Sequence, residues 1–409
     1  MVPFDRSLSG LRIVEVASFV AGPSAGLHLA QLGADVIRVE DKDGGPDFRR
    51  WPLSNDGASF YWEGLNKGKR SLAIDLRSKD GRGYVEEIVT AAGDGAGILL
   101  TNLPDRSFLN HEELALRRPD LISVRIEGWP NGRTAVDYTV NAALGVPLIT
   151  GASEGPPVNH VVPGWDLLMG AYAAFVVLAA HRLRCQTGQG QEIRLALGDI
   201  AAASLGHLGM IAEAVAGDGD RPRHGNNLFG AFGRDFITAD GEHIMIVAVT
   251  PGQWKALVAA LALEDAVKTL EQSCGANFAD EASRFIHRDA LNALVSGAVA
   301  RLALADLESL LRRHGACFDA YRPLAAAARE VAGPIAGNPI FSEIEQVSKA
   351  RYPVAATIAR FTGERRPPAP AGELGRGGGR LLIDLCGAHL SIVQDLVRRN
   401  ILRDPEVGE

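Results

Sequence analysis

The sequence predicts an α/β fold: a parallel sheet with helical crossovers, and a second, smaller α+β domain in the middle of the chain. Three observations carry this. Apolar runs of strand length alternate with amphipathic runs of helix length between residues 11 and 127. The pattern changes after Phe229, where Ala239-Asp240-Gly241-Glu242 separates two strand-like runs as a hairpin turn does. The chain has 409 residues, enough for two or three domains with cores of their own.

Residues 11–16 (LRIVEV) and 36–40 (VIRVE) read as buried strands, since strands covered on both faces are apolar at nearly every position. Between them a Gly-rich turn opens one short amphipathic helix, which completes a βαβ unit of the nucleotide-binding kind. Strands follow at 71–76, 98–102 and 121–127, with helices at 81–92 and 111–117. Helical crossovers between strands make parallel pairing the economical arrangement. Residues 167–184 and 192–215 are long helical segments on either side of a Gly/Gln turn, with 193–197 alternatively a further strand. Residues 218–223 are polar and turn-rich, as a linker is. Strands at 235–238 and 243–249 flank the hairpin turn, and helices run from 253 to about 314. The Pro-rich stretch 365–370 and the Gly-rich stretch 372–379 read as loops or a hinge, and 381–401 as mostly helical.

Composition removes several classes. A net charge of −7 gives no overall electrostatic grip on nucleic acid. The longest apolar stretches, 167–180 and 193–216, are broken by Gly, Asp or His, and neither reads as a membrane span. The N-terminus lacks a signal-peptide pattern. Cys185, Cys274, Cys317 and Cys386 are scattered without C-x-x-C, which argues against a zinc site or disulfide framework and fits the cytoplasm. The metalloprotease, α/β-hydrolase and P-loop signatures are missing, so no metal site is expected.

The most informative residue is Asp166. It follows Pro163-Gly164-Trp165 and opens a helix with almost no polar residue. Such a helix is buried on most faces, and a carboxylate in an apolar wall is costly unless free N–H groups and the helix dipole favour it. It is either an N-cap or a carboxylate nucleophile kept partly desolvated. His160, six residues upstream, is a structural residue or a site partner of that carboxylate. Asp137, Tyr138 and Asn141 are either a capped helix start or part of the site. Lys67-Gly68-Lys69-Arg70, with Arg49, Arg50 and Arg77 nearby, is a solvated loop or a phosphate-binding cluster. The stretch Phe229 to Phe236 is an inter-domain connection or a closing loop. The turn Ala21-Gly22-Pro23-Ser24-Ala25-Gly26 matches G-x-G-x-x-G only in part, and Pro23 removes an N–H that a pyrophosphate would need; a ligand other than NAD fits it better.

These pieces resemble the family III CoA-transferases (the CaiB/BaiF group), which also hold the 2-methylacyl-CoA racemases. The opening Leu8–Glu40, Leu65-Asn66-Lys67-Gly68-Lys69-Arg70-Ser71, Thr187-Gly188-Gln189-Gly190-Gln191 and the run 234–241 carry the likeness in register, from about Leu8 to Gln346. It implies an interlocked homodimer whose Rossmann-like large domain is built from both chain ends. On that plan residues 1–217 begin the large domain, 218–330 are the small domain with its linker, and 331–409 return to the large domain. It implies Asp166 as nucleophile, and CoA contacts at Val20, Ala21, Arg38, Ile74, Asp75, Leu76, Arg77, Asn102, Leu103 and Pro104. CoA enters as part of the substrate and no prosthetic group is implied. Departures exist. Val136 stands where the racemases carry a catalytic histidine, which argues against two-base chemistry. Asn110 stands where a family arginine holds CoA phosphate, with Arg106 a possible replacement. The family's usual ending is degraded to Glu373-Leu374-Gly375-Arg376-Gly377.

A narrower resemblance is to the family's mesaconyl-CoA C1–C4 CoA-transferases, on Arg50-Trp51-Pro52, Val136–Asn141, Val158-Asn159-His160-Val161, Gly206–Glu213 and Gly230–Phe236. It implies partners of two kinds, an acyl-CoA and a small dicarboxylate, with CoA moved between the two carboxyl groups of mesaconate through an aspartyl-CoA thioester on Asp166. Arg234, Arg49 and His160 are the candidates to hold the diacid. The alternatives are an intermolecular CoA-transferase with a separate acceptor acid, a racemase, and a CoA-binding protein without catalysis.

Overall fold

The structure is a computed structural model that describes residues 6–104, 108–217, 219–330, 333–360, 365 and 367–407. In chain order the elements are β1 (Arg12–Val16), α1 (Ala21–Gln31), β2 (Asp35–Glu40), α2 (Phe60–Asn66), β3 (Arg70–Ile74), α3 (Lys79–Thr90), β4 (Ile98–Thr101), α4 (His111–Arg117), β5 (Ile122–Glu127), α5 (Asp137–Ala143), α6 (Gly164–Thr187), β6 (Gln191–Ala196), α7 (Leu197–His207) and α8 (Met210–Ala216). They are followed by β7 (Phe232–Ile237), β8 (His243–Ala248), α9 (Pro251–Ala260), α10 (Glu264–Cys274), α11 (Glu281–Ile286), α12 (Arg288–Val299), α13 (Leu304–His314), β9 (Cys317–Ala320) and α14 (Leu324–Arg329). The chain closes with β10 (Phe341–Glu345), β11 (Arg351–Ala355), α15 (Gly378–Cys386), α16 (Leu390–Arg398) and β12 (Leu402–Arg403).

The described residues form two compact units. The larger takes the chain up to Leu144, His160–Ile211 and everything from Ala328; the smaller takes Gly145–Asn159 and Ala212–Ala327. The short segment 145–159 therefore belongs with the middle of the chain, which differs from a single boundary near residue 217.

The larger unit is built on a seven-stranded sheet in the order β12-β3-β2-β1-β4-β5-β6. All neighbours are parallel except β12, which pairs antiparallel with β3 through Leu402 opposite Ile74. Successive strand residues point to opposite faces. Ile13, Val36, Ile98 and Val124 pack under α1, α6 and α7 on one face. Val14, Ile37, Leu99 and Leu72 pack under α3, α4, α15 and α16 on the other. Both faces are covered, so the strands read as continuous apolar runs. Of the two readings for 193–197 the strand holds, because β6 adds to β5 through six register pairs.

Helix α6 lies directly on α1. Gly170 permits this: a Cβ there would overlap Ser24 Oγ and lie 2.9 Å from the Ala21 carbonyl oxygen. Its other side turns Leu167, Leu168, Tyr172, Phe175 and Leu183 outward. The helix has 24 residues and mean hydropathy 1.4 over its most apolar window, long and apolar enough to cross a membrane by length and composition, although 33% of that window is buried in the fold. The Gly-rich stretch is revised. Gly377 and Gly379 donate to the Asp404 carboxylate at 3.3 and 2.7 Å, so the last glycines start α15 instead of forming a hinge.

The smaller unit has a three-stranded antiparallel sheet, β7-β8-β9, with Phe232 and Phe236 among its core residues beside Ile244, Ile246, Trp254 and Leu291. This corrects the closing-loop reading of 229–236. From Phe232 the segment is a strand paired with β8 along its whole length, and Phe232 is 0% exposed.

Candidate active site

In a sheet of this order the chain leaves β1 toward β2 on one side and enters β4 on the other. The carboxyl ends of β1 and β4 therefore flank the topological switch point, where open α/β sheets hold ligands. The loop after β1 is tied there. Ser18 donates its N–H to Asn102 Oδ1 at 3.2 Å, and Asn102 Nδ2 donates back to the Ser18 carbonyl at 3.0 Å. Thr101 Oγ1 donates to the Val16 carbonyl at 2.8 Å and accepts from Leu103 N at 3.1 Å. Phe19 takes a left-handed φ of 69° and donates its N–H to Asp47 Oδ2 at 3.0 Å. A phenylalanine in that conformation costs on the order of 1 kcal/mol and needs such anchoring. Val20 then opens α1 as its N-cap, without a side-chain cap.

Most of the positions expected to touch CoA lie on this carboxyl edge. Val20 and Ala21 follow β1, and Asn102, Leu103 and Pro104 follow β4. Ile74 ends β3, and Asp75, Leu76 and Arg77 form the turn into α3. Asp75 accepts from Arg77 N at 2.9 Å, and the Arg77 side chain is 77% exposed.

Arg38 is the correction. Its side chain is 1% exposed and its two terminal nitrogens are engaged inside the fold: with Glu15 at 3.0 Å, with both Asp47 oxygens at 3.2 Å and with the Ala17 carbonyl. No surface is left to a ligand. Both faces of β2 are covered, so its charged residue must find partners within. Lys69 joins the same network through Glu15 at 3.0 Å, Asn66 at 3.0 Å and the Pro23 carbonyl at 2.8 Å. Burial pushes its ammonium down to about 8, against the opposing pull of Glu15. The basic cluster is thus divided: Lys69 ties β1 to the first turn of α1, while Arg70 pairs with Asp35 at the surface.

Asp166 sits in the first turn of α6, but it does not cap that helix. The N-cap is Pro163, which has no side-chain acceptor. The cap comes from Asp137 on α5, whose Oδ2 accepts Trp165 N at 2.7 Å and Asp166 N at 3.1 Å. The other Asp137 oxygen meets His160 Nε2. Asp137 is 1% exposed, and Trp165 Nε1 donates to Asn141 Oδ1 at 3.0 Å. The Asp166 carboxylate accepts no hydrogen bond among the described residues. Burial, reinforced by the neighbouring Asp137 charge, pushes it up to about 6. A poorly solvated, unpartnered carboxylate of raised basicity is what a nucleophile requires.

The ring of His160 lies 5.6 Å from Tyr138 and 6.4 Å from Trp165. Val136 is the N-cap of α5, and the imidazole beside Asp137 is that of His160, a residue the sequence already offered as a site candidate. Tyr61 was not anticipated. Burial raises its phenol to about 12 against the pull of Arg50, with the Asp47, Asp166 and Tyr138 charges adding to the rise. Its helix, α2, is only seven residues long, and Ser59 caps it by accepting Trp62 N at 3.1 Å. Arg49 is exposed next to Arg50. Arg234 lies in the smaller unit on β7, where it donates to its neighbour's carbonyl at 3.0 Å and faces Asp235 Oδ1 at 3.8 Å. Asn110 caps α4 by accepting Glu113 N at 3.1 Å, and Arg106 lies outside the described residues. Among the described residues no group of three His, Cys, Asp or Glu is placed to hold a metal ion.

Residues 8–376 match the sequence profile of CoA-transferase family III. The chain belongs to this family. A 2-methylfumaryl-CoA isomerase of Chloroflexus aurantiacus is 42% identical over 402 residues, 98% of each chain. A succinyl-CoA:mesaconate CoA-transferase of Haloarcula hispanica is 30% identical over 320 residues, 75% of this chain and 77% of the relative. A CAIB/BAIF family protein from Brucella suis has a TM-score of 0.76 at 26% identity, covering 93% of this chain and all of that one. This family III CoA-transferase is thus an enzyme acting on CoA thioesters.

A pH prediction follows from Asp166. The nucleophile is the ionised form, so the rate should rise with pH through about 6 and level off above 7. The stability effect has the opposite sign. The folded carboxyl holds its proton to a higher pH than the unfolded one, so its ionisation costs about 3 kcal/mol once the pH passes 6. Asp166→Asn should therefore melt higher than the wild type at pH 8, and the gain should vanish below pH 4. Melting curves at the two pH values check this; an equal difference at both would contradict the assignment.

Proposed function

We propose that this CoA-transferase moves CoA between the two carboxyl groups of mesaconate, converting 2-methylfumaryl-CoA into 3-methylfumaryl-CoA. The observation that carries the reading is the Asp166 carboxylate: half-buried, without a hydrogen-bond partner and backed by Asp137 at the first turn of α6. A C–O bond forms between an Asp166 oxygen and the thioester carbon, and CoA leaves as thiolate. The thiolate attacks the aspartyl carbonyl of the mixed anhydride, releasing the diacid and leaving an aspartyl-CoA thioester. The diacid turns, its other carboxylate attacks that thioester, and the same steps run in reverse. Asp166 is regenerated, and no proton or electron is consumed.

CoA lies on the carboxyl edge against Val20, Ala21, Ile74–Arg77 and Asn102–Pro104, with exposed Arg77 offered to its phosphates. His160, fixed by Asp137, presents its imidazole to a carboxylate of the diacid. The outward apolar side of α6 supports a homodimer in which a second copy covers it, as in the interlocked arrangement. The large domain draws on both chain ends, and the enzyme works in the cytoplasm.

Keeping the diacid enclosed makes the second attack effectively unimolecular, worth up to ~7–11 kcal/mol for ideal placement. This separates the reading from an intermolecular CoA-transferase. The enzyme given 2-methylfumaryl-CoA alone should form the regioisomer, and isotope from added free mesaconate should stay out of the product over many turnovers. Mass spectrometry of the thioesters reads both. Rapid uptake of external label would move the assignment to the intermolecular reaction.

A further inference from the structure

We propose that Arg50 is the specificity-determining residue that receives the substrate carboxylate not joined to CoA, its guanidinium held by the rings of Phe19 and Tyr61. This rests on the dicarboxylate reading above and deepens it. The Arg50 guanidinium carbon lies 5.6 Å from the Phe19 ring centroid and 5.3 Å from that of Tyr61. Contact with rings occupies the faces of a guanidinium and leaves its edge N–H groups free, in the geometry that matches a carboxylate. Among the described residues no carboxylate pairs with Arg50, whereas Arg38, Arg70 and Arg77 each have one. An arginine oriented in this way and left without an anion is prepared for one.

Its ring partner Tyr61 links it to the reacting carboxylate, since the Tyr61 phenol interacts electrostatically with both Arg50 and Asp166. Phe19 lies two residues before α1, and α6 meets the first turn of α1 at Gly170, one helical turn after Asp166. The other ring belongs to α2, whose cap residue Ser59 also donates to the Arg50 carbonyl. The clamp is rigid because Phe19 is anchored by Asp47, and fully buried Asp47 is itself held by Arg38. The buried charge network thus ends in the orientation of one free cation. A monocarboxylic thioester has nothing for that cation. A diacid always has one carboxylate away from the thioester, before and after the transfer, so a single guanidinium can receive each end in turn.

The test compares Arg50→Gln and Arg50→Lys in the full chain on three thioesters: mesaconyl-CoA, succinyl-CoA, and crotonyl-CoA, which lacks the second carboxylate. Isomerisation is read for the first, and CoA bound covalently to the enzyme for all. Arg50→Gln should lower kcat/KM for mesaconyl-CoA by roughly 100-fold, lower adduct formation from succinyl-CoA comparably, and change that from crotonyl-CoA by less than about 3-fold. Arg50→Lys should recover part of the loss on the two diacids only. Equal losses on all three substrates, or none, would overturn the proposal. Should the wild type load CoA from succinyl-CoA without isomerising mesaconyl-CoA, the mesaconate reading fails, and the succinyl-to-crotonyl ratio still decides the role of Arg50.

Discussion

Asp166→Ala should lose CoA transfer by roughly 10⁴-fold or more while retaining the fold and the affinity for CoA. The size follows from removing a covalent nucleophile for which the described residues hold no ready substitute. Asp137 is the nearest candidate, and its oxygens are engaged by Trp165 N, Asp166 N and His160. Retention of the fold follows because the Asp166 carboxylate accepts no hydrogen bond; truncation removes a desolvated charge and leaves no donor unpaired. CoA affinity should persist because the proposed CoA contacts on the carboxyl edge lie on other elements. Steady-state rates and calorimetric titration with CoA check the two halves. Residual activity within tenfold of the wild type would remove Asp166 from the mechanism.

Asp137→Asn should lower the rate by about 100-fold and also move its pH dependence. The amide oxygen can still accept the two backbone N–H groups, but the amide nitrogen that replaces the other oxygen cannot accept a proton from His160 Nε2, so the imidazole loses its anionic anchor. Asp137 also contributes a like charge that raises the Asp166 carboxyl, after burial. Removing that charge should shift the acid limb of the rate profile below about 6, while burial keeps it above the ordinary aspartate value. A merely structural loss would lower the rate at every pH without moving the limb. The pH–rate profile of the variant therefore separates the two.

The parts of the fold legible in the sequence are those whose residues settle their own environment. β1, β2, β4 and β5 are apolar at nearly every position because helices cover both faces, and their crossovers announced a parallel sheet. β12 was invisible: two residues form a strand only because β3 offers them a partner more than 300 positions away. α2 is too short to show a helical period. The polar hairpin β10–β11 has no alternation that a sequence would reveal.

At the site, Asp166 stood out as an acid opening an apolar helix, and that anomaly was sound. Its physical reason was not legible, since the capping carboxylate comes from Asp137, 29 residues earlier. Arg38 misled because a resemblance aligns positions without saying which way a side chain points; on a doubly covered strand it turned inward to Glu15 and Asp47. Phe232 misled because glycine and phenylalanine near a domain border suggested a mobile loop, whereas strand alternation buries Phe232 and Phe236 on one face. Arg50 was read only as part of a basic cluster and Tyr61 was not singled out, because their importance lies in their contact across α2 and the β1–α1 loop.

Intact-protein and peptide mass spectrometry of the wild type, mixed briefly with 2-methylfumaryl-CoA and quenched in acid, addresses the covalent step most directly. The account predicts a fraction of the chain heavier by one CoA less one water. The modification should map to the peptide containing Asp166, yield a hydroxamate at Asp166 with hydroxylamine, and be missing from Asp166→Asn. A chain that turns over substrate yet carries CoA on another residue, or never carries it, would contradict the account.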